Sequence, residues 1–286
     1  MASATLPKEF IWRRLHSLMG LWLVLFLIEH LFVNSQAALL LGDNAQGFVR
    51  MVNSIHNLPY LPLIELFLLG VPILIHLIWG VRYLFTSEPN SWKRKEKPSL
   101  PEYGRNRAYT WQRITSWILL IGIIGHVVKF RFLDYPLSLE QGIHTTYFVR
   151  LTVDKGLYTV ADRLGASIYS GQTILEKKAD WAEILQKKPL HGNEVIGVTD
   201  NFATASLLTV RDTFKHPLYV GLYTVFVLAA CFHAFNGFWT FLISWGVVLN
   251  MASQQRALKL AMLLMAAVTF LGLAAVWGTY WINLKS

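Results

Sequence analysis

Long apolar runs separated by polar segments dominate this chain of 286 residues. Five runs are long enough to cross a hydrocarbon core of about 30 Å, which takes roughly 20 helical residues. The charged side chains of the third run stand near its ends, where long cationic side chains reach the interface. The pattern therefore predicts five transmembrane helices, near residues 15–41, 61–85, 111–132, 217–248 and 258–282.

Polar segments divide the chain into a simple order. A tail at 1–14 precedes helices I to III at 15–132, which contain a basic connection at 86–109. A mixed polar insertion at 133–216 follows, with helix-like patches such as "LEKKADWAEILQKK", and helices IV and V occupy 217–286. We predict an all-α integral membrane protein, a five-transmembrane-helix bundle with a long external loop insertion between helices three and four.

Composition and charge placement agree with a membrane protein. The chain is 54% hydrophobic and only 15% charged, and its net charge of +9 follows topology in a way that does not suggest nucleic acid. By the positive-inside rule, the clusters of basic residues place the N-terminus and the second connection on the cytoplasmic side of the membrane. These residues are Lys8, Arg13, Arg14, Lys93, Arg94, Lys95, Lys97, Arg105 and Arg107.

Four of the nine histidines lie inside predicted spans, one on each of the first four helices: His30, His76, His126 and His233. Each stands about 14–16 residues, or roughly 21–24 Å, beyond the start of its span. Because successive helices alternate in direction, His30 and His126 lie toward the outer face, and His76 and His233 toward the cytoplasm. Two facing histidines at each level are what bis-imidazole ligation of a b-type haem requires.

These histidines have other possible interpretations. An intramembrane histidine can be a hydrogen-bonding helix contact, and zinc would need its ligands clustered at one level. Cys231 is the only cysteine, so the chain has no Cys-x-x-Cys-His attachment for c-type haem and no four-thiolate iron–sulfur site. Any such cluster belongs to a partner.

Local motifs surround these histidines: "RRLHS" at 13–17, "EHLFVN" at 29–34, "IHLIWG" at 75–80, "GHVVKFR" at 125–131 and "FHAFNGFWTF" at 232–241. Through them the chain resembles the cytochrome b membrane-anchor subunit of the succinate dehydrogenase and fumarate reductase family, in the type whose single anchor polypeptide holds two haems b. The resemblance implies that His76 and His233 hold the proximal haem. His30 and His126 would then hold the distal haem.

The resemblance further implies a place in respiratory complex II. Electrons from succinate would pass through a cytoplasmic flavoprotein subunit and an iron–sulfur subunit, then through the two haems, to a quinone near the distal haem. The chain would carry the quinone-reducing electron transfer without itself oxidising succinate. Fumarate-reducing relatives can carry a glutamate two residues before the fourth ligand, where this chain has Cys231. That departure favours succinate oxidation, with menaquinone as the acceptor.

Two carboxylates are candidates for the quinone site and its proton supply. Glu29 adjoins a distal ligand, and an intramembrane carboxylate is a functional hypothesis by default; the alternative is a protonated carboxyl group that hydrogen-bonds a neighbouring helix. Glu65 lies about 6 Å from the outer end of its helix, where it could line the quinone pocket or stand at the interface.

Four polar residues are candidates for haem propionate contacts: His16, Ser17, Arg113 and Arg131. Membrane anchoring also explains the two arginines. Two other functions stay open. One is a haem b anchor of another respiratory dehydrogenase, of the formate dehydrogenase or hydrogenase type. The other is a proton-coupled or metal transporter, for which inverted repeats and broken helices are expected and are not evident in the sequence.

Overall fold

A computed structural model describes residues 6–39, 43–87, 91, 100, 102–177 and 181–283. Within the predicted basic connection, Lys93, Arg94, Lys95 and Lys97 lie outside the described residues. Among the described residues, five helices are long and apolar enough to cross a membrane: Lys8–Leu39, Leu61–Thr86, Gly104–Leu133, Pro217–Ser244 and Met251–Tyr280. The prediction of a multi-pass membrane protein with five spans is confirmed.

The described elements, in chain order, are α1 Lys8–Leu39, α2 Gln46–His56, α3 Leu61–Glu65, α4 Val71–Thr86, α5 Gly104–Val127, β1 Leu137–Gln141, β2 His144–Thr152, α6 Leu157–Arg163, β3 Ser167–Tyr169, α7 Gly171–Lys177, α8 Ala182–Lys187, β4 Glu194–Thr199, α9 Phe202–Phe214, α10 Pro217–Ser244 and α11 Met251–Leu273. π-helical segments follow α3, α5 and α11, at Leu66–Gly70, Val128–Leu133 and Ala274–Asn283. The chain divides into two compact units. Unit 1 comprises Met1–His30, Tyr60–Gly122 and Val225–Phe270, and unit 2 comprises Leu31–Pro59, Ile123–Thr224 and Leu271–Ser286.

Arginine side chains close the C-terminal ends of two helices in unit 1. Arg113 on α5 donates to the carbonyl oxygens of Tyr83 at 3.1 Å and Leu84 at 2.9 Å, near the end of α4. Arg14 on α1 donates to the carbonyl oxygen of Ser244, the last residue of α10. The final carbonyls of a helix lack helical partners and carry partial negative charge. The arginines therefore satisfy groups that an apolar surrounding would leave unbonded.

A tryptophan on α1 donates a hydrogen bond to a backbone carbonyl between α3 and α4. In an α-helix the carbonyl of Leu68 would accept a hydrogen bond from residue 72, but Pro72 has no N–H to donate. The indole Nε1 of Trp22 on α1 donates to this carbonyl at 2.5 Å. Since hydrocarbon offers no water to replace a missing donor, this bond ties α1 to the interrupted span.

Replacing Trp22 with phenylalanine keeps an aromatic ring and removes the donor. We expect Trp22→Phe to lower the free energy of unfolding by about 1–3 kcal/mol, the cost of leaving the Leu68 carbonyl without this donor in an apolar surrounding. Unfolding of the detergent-solubilised chain by increasing SDS measures the change. Trp111→Phe is the matched control, because that indole is exposed and makes no hydrogen bond to a described residue. An equal loss in both variants would contradict the assigned role.

The turn between α10 and α11 corrects two predicted helix ends. Gly246 has φ of 72°, the left-handed conformation that commonly ends a helix, so α10 stops before the predicted residue 248. Asn250 then caps α11 by accepting a hydrogen bond from the Ser253 N–H at 2.8 Å. α11 starts at Met251 rather than at 258 because its first two turns are polar, which a hydropathy criterion passes over.

The prediction that 133–216 is a loop insertion in an all-α chain is wrong. The segment folds into a four-stranded antiparallel sheet of order β1-β2-β4-β3, with short helices and α9 around it. The patch "LEKKADWAEILQKK" contributes to two helices, α7 and α8. β2, with sequence HTTYFVRLT, is rich in the β-branched and aromatic residues that favour strands. Strands this short give a weaker signal than transmembrane runs, so the sheet went unpredicted.

Helices cover both faces of this sheet. β4 is buried from Val195 to Thr199, as expected of a central strand with packing on each side. One face packs on α7 and α8, through Phe148, Ile174, Ile184, Ile196 and Val198. The other face packs on α2, α6 and α9, through Phe48, Val49, Val149, Leu151, Leu157, Val160, Leu207 and Leu208. Unit 2 therefore has a hydrophobic core on each side of its sheet.

A buried ion cluster connects the loop after β2 to α9. The Arg211 side chain is only 5% exposed and donates to both Asp154 carboxylate oxygens, at 2.7 and 2.6 Å. Lys215 contacts Asp154 at 3.3 Å and Asp212 at 2.6 Å. Partial burial by itself would raise the pKa of Asp154, but the hydrogen bonds and positive charge of Arg211 outweigh it and, with Lys215, hold the pKa at about 2.

Removing the Asp154 charge leaves Arg211 buried without its carboxylate. We expect Asp154→Asn to destabilise the protein by about 2–3 kcal/mol at neutral pH. Because the folded pKa of Asp154 lies below its ordinary value of 3.8, this contribution is complete above about pH 4 and disappears as the pH falls through about 2. The measurement is the melting temperature from pH 7 to pH 3, with exposed Asp162→Asn as control. Equal melting temperatures of the wild type and Asp154→Asn already at pH 6 would exclude this assignment.

Candidate functional site

Three histidines meet in unit 1: His16 on α1, His76 on α4 and His233 on α10. The rings of His16 and His76 are stacked, with centroids 3.9 Å apart. The rings of His76 and His233 have centroids 6.2 Å apart and planes inclined at 79°. The structure therefore brings together the predicted proximal pair. It also places the predicted propionate contact, His16, directly against one member of that pair.

The contacts of His76 define which ring nitrogen carries its proton. Nδ1 of His76 lies 3.0 Å from the carbonyl oxygen of His16, and Nδ1 of His16 lies 3.0 Å from the carbonyl oxygen of His76. A carbonyl only accepts, so Nδ1–H donates in each case. In neutral imidazole the other nitrogen then keeps a free lone pair. The backbone of α1 thus fixes His76 in the tautomer whose Nε2 can bind a metal.

Hydroxyl groups on α5 define the same tautomer for His233. Nδ1 of His233 lies 3.4 Å from the hydroxyl oxygens of both Thr115 and Ser116. Each hydroxyl has one proton, and each already donates it to a backbone carbonyl of α5, that of Trp111 or Gln112. The hydroxyl oxygens therefore act as acceptors for His233 Nδ1–H. Nε2 of His233 is likewise left with its lone pair.

The spacing of the two rings would suit a haem iron that binds both histidines. Two imidazoles that bind one iron through Nε2, each at about 2 Å, have ring centroids roughly 6 Å apart, and the observed separation is 6.2 Å. A small residue makes room for one ligand, because a Cβ added at Gly20 would lie 3.0 Å from Cε1 of His76. Among the described residues, no three His, Cys, Asp or Glu side chains form a group that could hold a metal ion, whereas bis-histidine ligation needs two.

A polar network around His233 escaped the sequence prediction. Gln112 on α5 donates to the carbonyl oxygen of His233 at 3.1 Å, and Asn236 donates to Oε1 of Gln112 at 2.8 Å. Gln112, Thr115 and Ser116 stand at i, i+3 and i+4, so they share one face of α5. Polar residues on a single face of an apolar helix favour an interhelical contact, and this periodicity was the available signal.

The predicted distal ligands belong to different units. His30 ends the first segment of unit 1, where its ring stacks on Phe26 at a centroid distance of 5.4 Å. His126 belongs to unit 2, where its Nδ1 lies 3.2 Å from the hydroxyl of Tyr223. Tyr223 can donate or accept here, so both tautomers of His126 stay open. The pairing of His30 with His126 stays a prediction from the sequence.

The other predicted site residues have varied surroundings. Glu29 is exposed on the surface of α1, and Glu65 is half-buried at the last position of α3. Ser17 is half-buried beside His16. Arg113 binds the end of α4 as described above, and Arg131 in unit 2 lies over the ring of Tyr135, with Cζ 4.9 Å from the centroid. Their quinone and propionate roles stay predictions.

Comparison with known proteins gives one similarity that runs along nearly the whole chain. The chain is 26% identical over 270 residues to the succinate dehydrogenase cytochrome b558 subunit of Bacillus subtilis (strain 168). The similarity covers 94% of this chain and 96% of that protein. No family model matches the chain, and no solved structure matches it significantly. This similarity confirms the resemblance to the cytochrome b anchor subunit of succinate dehydrogenase that the local motifs indicated, while the number of haems stays a prediction.

The space beside His76 gives a direct test of the site. We expect Gly20→Val to displace the His76 ring, since even a methyl group at residue 20 would lie 3.0 Å from Cε1 and 3.3 Å from Nδ1. The measurement is haem b bound per purified chain, which should fall by at least about half. Gly221→Val is the control, because a Cβ at residue 221 meets no atom within 4 Å. Full haem content in the Gly20 variant would contradict the assigned position of His76.

Proposed function

We propose that this chain, which is similar to a succinate dehydrogenase cytochrome b558 subunit over nearly its whole length, is the di-haem cytochrome b membrane anchor of a succinate:quinone oxidoreductase. It passes electrons from cytoplasmic flavoprotein and iron–sulfur subunits to quinone in the membrane. The observation that carries the haem assignment is the close approach of His76 and His233, whose Nδ1 protons are engaged and whose Nε2 lone pairs are available.

His76 and His233 are the proposed axial ligands of the proximal haem. When bound, haem b supplies a one-electron carrier. The protein's own contribution is to orient the two rings through Nδ1, to keep water away by apolar packing, and to hold both histidines neutral so that Nε2 can ligate. The carbonyl of His16 performs the orienting role for His76, and the hydroxyls of Thr115 and Ser116 perform it for His233.

A second haem b, held by His30 and His126, completes the proposal. Its support is the matched depth of the four histidines in the sequence, together with the motifs around them. Quinone, with menaquinone favoured by Cys231 at the position of the relatives' glutamate, would react near this second haem. Glu29 and Glu65 are the proposed proton and quinone contacts.

Propionate binding and orientation belong to the same proposal. His16, Ser17, Arg113 and Arg131 are the proposed propionate contacts, and His16 has the strongest support because its ring already lies against His76. In this proposal the N-terminus lies on the cytoplasmic side of the bacterial inner membrane, which is the side where the flavoprotein and iron–sulfur subunits bind. The basic residues of the tail support this orientation.

Haem stoichiometry in the purified complex tests the proposal. We expect two haems b per chain by pyridine haemochrome assay, co-purification with a flavoprotein and an iron–sulfur subunit, and reduction of the haems by succinate. His76→Leu and His233→Leu should each remove the proximal haem, because the proposed site would hold that haem through both histidines. His30→Leu and His126→Leu should remove the distal haem.

One control variant and two contrary outcomes separate the competing functions. His56→Leu is the matched variant, since His56 stacks on Phe202 in unit 2 and lies outside the spans; it should retain both haems. Haem-containing protein that is reduced by formate or hydrogen but not by succinate would favour another respiratory dehydrogenase. Well-folded protein without haem, unchanged by all four ligand substitutions, would overturn the proposal in favour of a transporter.

A further inference from the structure

Unit 1 contains a groove that the proposed electron transfer does not use. It has a volume of about 420 Å³ and lies between the first turns of α5, the second half of α10 and the first half of α11. This volume falls within the range of about 300–1,000 Å³ that is typical of small-molecule sites. Phe232 and Asn236 line it from the α10 side, and Asn236 also belongs to the polar network around His233.

One end of the groove is polar and positively charged. Arg105 lies there at the start of α5, with its Cζ 5.7 Å from the Trp239 ring centroid. Its Nη2 donates to Oε1 of Gln254 at 2.5 Å, which leaves further guanidinium donors and the amide groups of Gln254 and Gln255 for a ligand. None of the described lining residues is acidic. The N-termini of α5 and α11 add partial positive charge at this end.

The other end of the groove is apolar. Leu258, Met262 and Met265 follow Gln254 along α11, so the lining runs about 16 Å from the amide groups to the last methionine. Phe232 faces them from α10. Methionine side chains adapt to flexible apolar partners. Met262 is 55% exposed, so the groove opens onto the surface of a helix that is long and apolar enough to cross a membrane.

We propose that this groove binds one anionic phospholipid, with its phosphate at Arg105 and an acyl chain along Phe232, Met262 and Met265. The charge complementarity and the polar-to-apolar order of the lining match an amphiphile lying along a membrane helix. A quinone carbonyl can accept a hydrogen bond from the guanidinium but leaves its positive charge uncompensated, whereas a phosphate pairs with both the donors and the charge. The proposal depends on the membrane location of the chain and is independent of haem binding.

Native mass spectrometry of the full chain, delipidated in a neutral detergent, tests this site. The chain is titrated with dioleoyl-phosphatidylglycerol and, separately, with dioleoyl-phosphatidylcholine, which has the same acyl chains and no net charge. We expect one phosphatidylglycerol to bind at least about tenfold more tightly than phosphatidylcholine. Arg105→Gln should abolish this preference, and Arg107→Gln, which changes a nearby exposed cation outside the groove, should retain it.

A second pair of variants tests the apolar end without changing charge. Met262→Trp should fill the groove and weaken phosphatidylglycerol binding, whereas Leu263→Trp, at the adjacent exposed position outside the lining, should leave it unchanged. Millimolar inorganic phosphate should not displace the lipid. Equal binding of the two lipids, equal effects of the Arg105 and Arg107 variants, displacement by phosphate alone, or competition by a short-chain quinone that Arg105→Gln does not affect would each overturn the proposal.

Discussion

The structure depends on one constraint: polar groups inside an apolar span must find their hydrogen-bond partners within the protein. Unit 1 meets it with side chains that reach from one helix to the backbone of another. Trp22 serves the carbonyl that Pro72 leaves without an α-helical donor, and Arg113 serves the end of α4. An apolar surrounding makes a polar group without a hydrogen bond unfavourable in free energy. These bonds therefore fix which helices lie side by side.

The same constraint sets the chemistry of the histidines. A buried imidazole needs an acceptor for its N–H, and α1 and α5 supply one to each member of the pair, through the carbonyl of His16 and the hydroxyls of Thr115 and Ser116. Satisfying Nδ1 leaves Nε2 as the only free lone pair on each ring. Helix packing and ligand competence are therefore two results of a single set of hydrogen bonds.

Sequence reasoning succeeded where one physical signal dominates. Twenty apolar residues have few alternatives to a membrane helix, so all five spans were predicted, and equal depth on antiparallel helices placed His76 beside His233. It failed where the signal is spread among distant residues. The sheet of unit 2 depends on pairing β2 with β4, more than forty positions apart, and each strand alone is too short to give a strong signal. Likewise, the stacking of His16 on His76 follows from the crossing of α1 and α4, which hydropathy does not encode.

The two proposed haem ligands differ in how easily a substitution can change the hydrogen bond to their Nδ1 atom. His76 is oriented by a backbone carbonyl, which no substitution at residue 16 removes while the helix persists. His233 is oriented by hydroxyls at 3.4 Å, which single substitutions at Thr115 or Ser116 can weaken or delete. Hydrogen bonding to the outer nitrogen changes the basicity of the ligand and hence the reduction potential. The α5 face is therefore the side on which the potential can be tuned, while α1 holds the opposite ligand in a constant orientation.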